Sequence, residues 1–427
     1  MRLLPTLVLA LLLSPSAHAA FDVEALSTAV DAKVIDWRRD IHQHPELGNR
    51  EFRTSGKVAE HLRALGMEVR TGVAHTGVVG LLRGGKPGPK IALRADMDAL
   101  PVTEATGLPF ASTVTTEYNG QTTGVMHACG HDAHVAILMG VAEALASVRE
   151  DLPGEVLFLF QPAEEGPPPG ETGGAKQMLA EGVFDDFKPE AVFGLHVWAQ
   201  LPVGTIGFRG GPMMASADRW VLKVRGKQTH ASRPWGGVDP ITIAAQALIA
   251  SQSIIARQID ITSSPVVLTA GAVRGGIRFN IIPETAEMEG TLRTFDMDVR
   301  ADVINRFERT AQAIAEAAGG EAELIVENTA PVTANALALT QRVRPWLREL
   351  MGAEQVKEMP LQTVAEDFSE FANRAPGFLF FVGSTGPDIH PARAPNNHSP
   401  EFLLHEDALK HGTRAMLTLA LGVLEGR

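Results

Sequence analysis

Met126-His127-Ala128-Cys129-Gly130-His131-Asp132-Ala133-His134 is the stretch around which the chain is organised. It holds the single cysteine, three of the 14 histidines and an aspartate. An amphipathic helix pattern follows, with Val135, Leu138, Met139, Val141, Ala142 and Leu145 as its apolar positions. Residues 118–124 before it are rich in Thr, Asn and Gly, so the motif is expected in a loop leading into a helix. Cys129 and His131 are two apart, and in an extended or loop segment that spacing points both side chains to one side. A thiolate beside an imidazole suits a borderline-soft divalent metal. A lone cysteine is more often buried apolar filler, and a lone histidine a hydrogen-bonded core or surface residue. Polar, titratable residues this dense are poor core material, however. The stretch therefore points to a metal or catalytic role without saying which.

The chain has 427 residues, too many for one ordinary core, so two domains are expected. At 45% hydrophobic residues it reads as globular rather than disordered. A net charge of -12 with no long basic run argues against nucleic acid as a partner. The first twenty residues read as a secretory leader. Arg2 gives a positive start, residues 3–13 an apolar run, and Ala17-His18-Ala19 a small-x-small cleavage site. That run is too short to span a membrane, which needs about twenty residues, and no later stretch qualifies. An exported protein, periplasmic or secreted, is expected. A solitary thiol in an oxidising compartment has no internal disulfide partner; metal ligation would protect it.

Helical patterns cover 25–41 and 52–65, and strands are expected at 77–82 and 90–94. The second strand runs into Asp96 and Asp98, where α/β folds place their chemistry, although an Asp-rich turn would look the same. Residues 155–161 form a near-continuous apolar run, as in a strand covered on both faces. It opens into Gln161-Pro162-Ala163-Glu164-Glu165-Gly166. Adjacent glutamates beside a buried strand end repel and are costly to desolvate. A metal would relieve one and leave the other as a free base. A further apolar strand, 191–195, ends at His196. Beyond it the pattern changes. Strands at 220–225, 265–273, 285–295 and 322–327, with helices at 239–259 and 298–318, give the ferredoxin-like order β-α-β-β-α-β. The first pattern then resumes, with a helix at 337–351, a strand at 378–382, a loop carrying Asn397-His398-Ser399 and a closing helix at 406–424. There are no repeats and no low-complexity tracts.

Several motifs in this order resemble one known family. They are Arg-Ala-Asp-Met-Asp-Ala-Leu-Pro (94–101), the 126–134 stretch, Gln-Pro-Ala-Glu-Glu-Gly (161–166), Gly-Leu-His-Val-Trp (194–198), Phe-Asn-Ile-Ile-Pro (279–283), Gly-Thr-Leu-Arg-Thr-Phe (290–295), Glu-Asp-Phe (366–368) and Asn-His-Ser-Pro-Glu-Phe (397–402). The chain resembles the M20 metallopeptidases, in the branch of hippurate, N-acyl-amino-acid and auxin-conjugate hydrolases. The resemblance covers nearly everything after the leader. It implies an α/β fold: a mixed-sheet dinuclear-metal catalytic domain in two parts, 21–203 and 329–427, with a ferredoxin-like α+β lid and dimerisation domain inserted at 204–328. It implies that Cys129, His131, Glu165, His196 and His398 bind two divalent ions, zinc or manganese, with cobalt or nickel also compatible with the donor set. It makes Glu164 the general base. Asp96 stands where many M20 branches have a His ligand, so Asp96 and Asp98 are expected to orient ligands rather than bind metal. His127, Asp132 and His134 are expected to support the site or start the helix. The resemblance further implies a homodimer in which His230 reaches the partner's site to bind the oxyanion, while Asn280 holds the substrate carboxylate or carbonyl. The family often has Gly-Gly-His-Ala-Ala-x-Pro-His in the inserted domain; this chain has Gln228-Thr229-His230-Ala231-Ser232-Arg233-Pro234-Trp235.

The expected reaction is hydrolysis of amide bonds in N-acyl amino acids or small peptides. A metal pair lowers the pKa of water, and Glu164 carries its proton to the leaving amine. Two rivals remain at this point. A Cys129/His131 thiol hydrolase explains the cysteine but leaves the glutamates and His398 idle. A non-catalytic periplasmic metal-binding protein has no use for Glu164. No Gly-x-Ser-x-Gly or phosphate-binding loop supports a serine hydrolase or an NTPase.

Overall fold

The computed structural model describes residues 21–427; the leader expected at 1–20 lies outside the described residues. An eight-stranded mixed sheet forms the larger part. Its order is Glu68–Val73, Gly77–Arg83, Pro153–Gln161, Lys86–Asp96, Ala191–Pro202, Gly377–Thr385, Ile206–Phe208 and Val356–Glu358. The central four strands are parallel. Their apolar runs arise because both faces are covered. In Pro153–Gln161, Val156, Phe158 and Phe160 join one core cluster while Leu157 and Leu159 join another on the opposite face. The first cluster holds helices Asp31–Gln43, His131–Ser147, Leu337–Met351 and Asp407–Leu424 against the sheet. The helix His131–Ser147 is buried almost all round, including His131, Asp132 and His134.

Four antiparallel strands make the second sheet, in the order Val266–Gly275, Thr285–Thr294, Ala217–Arg225 and Glu321–Ala330. With helices Pro240–Gln258 and Met297–Ala317 this is the ferredoxin-like arrangement expected from the pattern. Alternate residues Trp220, Leu222 and Val224 pack under the helices at Ile243, Ala247, Val303 and Phe307. The boundaries at 204 and 328 need correction. Ile206–Phe208 pairs within the large sheet, and Gly211–Met214 pairs with Thr333–Asn335. The second sheet begins at Ala217 and ends at Ala330. Residues 204–216 are short strands without a pattern of their own, so only their pairing reveals which sheet they join.

Two local expectations also change. The 25–41 helix is two helices, Val23–Thr28 and Asp31–Gln43. Val30 and Val34 both seat on Gly140 of the long helix, where an added Cβ would lie 2.5 Å from Val34 and 3.5 Å from Val30. The 118–124 loop contains a hairpin, Thr115–Tyr118 with Gln121–Gly124. Its turn is Asn119-Gly120, both at positive φ, the pairing that two-residue hairpin turns favour.

Candidate dinuclear metal centre

The carboxyl ends of the parallel strands gather the chemistry, as open α/β sheets tend to do. Lys86–Asp96 ends at Asp96, Pro153–Gln161 leads into Glu164 and Glu165, and Ala191–Pro202 carries His196. Cys129 enters between them on a tight turn. Gly130 caps the helix at φ 91, and a Cβ there would lie 2.2 Å from Val197 Cγ2. Only glycine allows both the left-handed backbone and this approach. Asn397 clamps the turn from the far side, donating to the carbonyls of Cys129 (3.1 Å) and Val197 (3.2 Å). The His398 amide donates to Ala128 O at 2.7 Å.

The thiol therefore sits between two imidazoles, 3.4 Å from His196 Nε2 and 3.2 Å from His398 Nε2. His398 Nε2 is in turn 2.9 Å from Glu165 Oε1. Two donor triads result, Cys129/His131/His196 and Cys129/Glu165/His398, each with ligand atoms within 4.8 Å of one another. They share the sulfur. Glu164 lies at their edge, 4.0 Å from His131 Nε2. All five residues expected to bind metal, and the expected base, are thus brought together.

The tautomers suit a metal. His131 Nδ1 donates to Asp98 O (2.8 Å) and His196 Nδ1 to Val197 O (2.7 Å), which turns both Nε2 lone pairs to the centre. His131 Nε2 is buried with no hydrogen-bond partner. Burial, then neighbouring His134, keep His196 neutral by pushing its pKa well below the imidazole range. For His131 burial is outweighed by Asp96 and Asp98, which raise it to about 10. A cation in the triad would replace that proton. Burial, then Glu165, Glu164 and Asp96, push the Cys129 thiol well above its usual value. This is the reverse of the electropositive setting that activates a nucleophilic cysteine.

Asp96 and Asp98 stand where orienting carboxylates would. Asp98 Oδ2 accepts from the Glu165 amide at 2.9 Å. Asp96 accepts from His134 Nδ1 (2.6 Å) and Arg94 Nη1 (2.7 Å). Although burial disfavours its charge, Arg94, His131 and His134 hold the Asp96 carboxyl well below the usual range. His134 Nε2 takes the Val197 amide proton at 2.9 Å, and Asp132 binds Arg38 and His42, each at 2.8 Å. His127 makes no hydrogen bond among the described residues, and burial lowers it to about 3.

Some supports were not singled out from the sequence. Arg94, fully buried, also binds Gln161 (2.8 Å), Glu366 (2.8 Å) and Asp367 (3.1 Å). Glu51, 112 residues away, accepts from the Ala163 amide at 2.9 Å and pins Ala163 at φ 50 just before the two glutamates. The Gln161 and Glu366-Asp367 motifs could have pointed to the Arg94 network; nothing local pointed to Glu51. His230 and Asn280 are not part of the cluster within one chain. They lie together on the second domain, where His230 pairs with Ile281 and the Ala231 amide donates to Asn280 O at 3.1 Å.

The sequence profile of peptidase family M20/M25/M40 matches residues 92–422. The chain belongs to this family. It is 41% identical over 408 residues to thermostable carboxypeptidase 2 of Saccharolobus solfataricus, covering 93% of this chain and 98% of that protein. It is 40% identical over 302 residues to an N-acyl-L-amino acid amidohydrolase of Geobacillus stearothermophilus, covering 71% and 78%. The crystal structure of the Bacillus subtilis YXEP protein, described as a dinuclear metal binding peptidase from the M20 family, superposes with a TM-score of 0.78 at 35% identity, over 94% of this chain and 99% of that one. The M20 chain is therefore an enzyme of the metallopeptidase and amidohydrolase type, with candidate ligand clusters where its dinuclear relative binds metal.

If Cys129 is a metal ligand, iodoacetamide should leave the metal-loaded protein unmodified and label it after chelation. Mass spectrometry of the cysteine peptide checks this. Rapid labelling of fully loaded protein, with activity lost and metal retained, would restore the thiol-hydrolase reading.

Proposed function

We propose that this M20 enzyme hydrolyses the amide bond of N-acyl amino acids or small peptides, and that Cys129, His131, Glu165, His196 and His398 would hold two divalent ions, with the Cys129 sulfur common to both donor triads. The observation that carries this is the pair of donor triads meeting at one sulfur, with Glu164 outside both although its carboxylate also comes within reach of His131 and Glu165. The activities in the names of the relatives, carboxypeptidase and acyl-amino-acid amidohydrolase, support the substrate class. A mixed sulfur, nitrogen and carboxylate set suits zinc or manganese, and accommodates cobalt or nickel. A metal carrier would have no use for Glu164.

Two divalent ions, when held by these triads, would supply water of lowered pKa and positive charge for the developing oxyanion. The chain's residues do the rest. Burial, then the carboxylates Glu366, Glu165, Asp367 and Asp96, push Glu164 well above the usual carboxylate range, which favours a group that accepts a proton and gives it up. Glu164 takes the proton of the attacking water and delivers it to the leaving nitrogen. Asp98 fixes one donor of each triad through His131 and the Glu165 backbone.

The same reading makes the chain a homodimer whose His230 serves the partner's site. His230 Nδ1 accepts from the Ser232 amide at 3.0 Å, so the neutral ring carries its proton on Nε2, as an oxyanion donor must. Removing a donor of this kind costs about 2.7–4 kcal/mol of transition-state stabilisation. A face for pairing lies nearby. Residues 240–256 carry no charge, and the solvent face of that helix shows Thr242, Ala245, Gln246, Ile249 and Gln252. Beside it, Val266–Gly275 is an open edge strand with Val267 and Val273 exposed. Such edges are ordinarily covered or charged. The leader pattern read at residues 1–20 supports export to the periplasm or the exterior as part of this reading; among the described residues no helix is long and apolar enough to cross a membrane.

Glu164→Gln should abolish turnover of acyl amino acids while two metals per chain remain bound, and Glu165→Gln should lower metal content as well. Elemental analysis beside activity separates them, and equal metal loss in both would contradict the assignment. Mixing inactive His230→Ala and Glu164→Ala proteins under subunit exchange should restore activity, because one site of each heterodimer is then intact. No recovery despite proven exchange, or a fully active monomer, removes the shared site.

A further inference from the structure

The loops that carry His230 and Asn280 also hold the most exposed cluster of large apolar side chains described in this chain. Trp235 is 82% exposed, Phe279 92% and Ile277 101%. Register places them together. Thr229–His230 pairs with Ile281–Ile282, the Ala231 amide binds Asn280 O, and the chain then turns through Arg233 into Pro234–Gly236. Phe279 thus precedes the ladder on one strand and Trp235 follows it on the other, both off the same end. Single apolar residues on a surface need no explanation, but three this exposed on two loops that leave one short ladder do. Nothing in their own domain packs on them. The charge around them is of one sign: segments 226–238 and 275–283 contain Lys227, Arg233 and Arg278 and no Asp or Glu. Asn280 Oδ1 is buried there without a partner.

We infer that Trp235, Ile277 and Phe279 form the wall that receives the acyl group, and that the preferred substrates carry a bulky apolar acyl group rather than acetyl. This rests on the proposed function, in which His230 binds the oxygen of the scissile carbonyl. The group bonded directly to that carbonyl carbon is the acyl chain, so the side chains flanking His230 meet it first. The cations beside them match the free carboxylate of an N-acyl amino acid. A second copy docking through this same face would set those cations against themselves, since a two-fold interface opposes like patches.

The test measures kcat/KM of the metal-loaded enzyme on N-benzoyl and N-acetyl derivatives of one amino acid, for wild type, Trp235→Ala and Phe279→Ala. Sedimentation of each variant is recorded alongside. These side chains are exposed, so truncation removes no core packing. Wild type should favour benzoyl by about tenfold or more, and each variant should lose about tenfold more on benzoyl than on acetyl, the range one apolar pocket contact commands. Trp235→Phe should recover most of the preference. Activity without acyl preference, or equal losses on both substrates, overturns the inference and leaves the proposed function standing. Conversion to monomer with the benzoyl-to-acetyl ratio unchanged also overturns it and makes the patch a subunit contact. No hydrolysis of any acyl amino acid by wild type fells the proposed function, and the inference with it.

Discussion

Six carboxylates, Asp96, Asp98, Glu164, Glu165, Glu366 and Asp367, converge in the buried space at the ends of the parallel strands. One fully buried guanidinium, Arg94, answers three of them. A buried charge without a partner is costly enough that the group neutralises instead. The shifts follow that rule. Asp96, beside Arg94, stays ionised, whereas Glu164 rises, and burial with Glu366 lifts Asp367 to about 7 against the pull of Arg94. Divalent cations held at the two triads would relieve the excess, and would favour the thiolate of Cys129 over its buried thiol. The charge balance thus links the fold of the strand ends to the chemistry proposed for them.

The main chain that carries the ligands is held by contacts outside the donor set. Gly130 lets the Cys129 turn close on Val197; Asn397 clamps the two carbonyls; Glu51 holds Ala163 in a left-handed conformation that sets the direction of Glu164 and Glu165. His131 and His196 have their Nδ1 protons tied to main-chain carbonyls. Each ligand is therefore aimed by a group that has no contact with a metal, which is how catalytic sites hold their geometry.

Much of this was legible in the sequence. The Cys129-x-His131 spacing, the Glu164-Glu165 pair after an apolar strand and the β-α-β-β-α-β order carry their chemistry or topology locally. His196 and His398 do not. Each is a single histidine within an ordinary strand or loop, and the resemblance to a family, not spacing, marked them out. Glu51 was invisible because its partner is distant in sequence and its contact is to a main-chain amide. The 204–216 segment was assigned to the wrong sheet because short strands have no period of their own. The break between the first two helices, at Ala29-Val30, carries no glycine, proline or other local stop signal that the sequence could have shown.

The shared sulfur is the central claim, and X-ray absorption spectroscopy of the zinc-loaded enzyme tests it most directly. The account predicts a sulfur shell at about 2.3 Å for the metals, with a second metal at about 3.5–4 Å. Replacing Cys129 with Ser should remove the sulfur shell. A loaded, active enzyme whose metals see only nitrogen and oxygen, with the sulfur absent from their coordination, would contradict it.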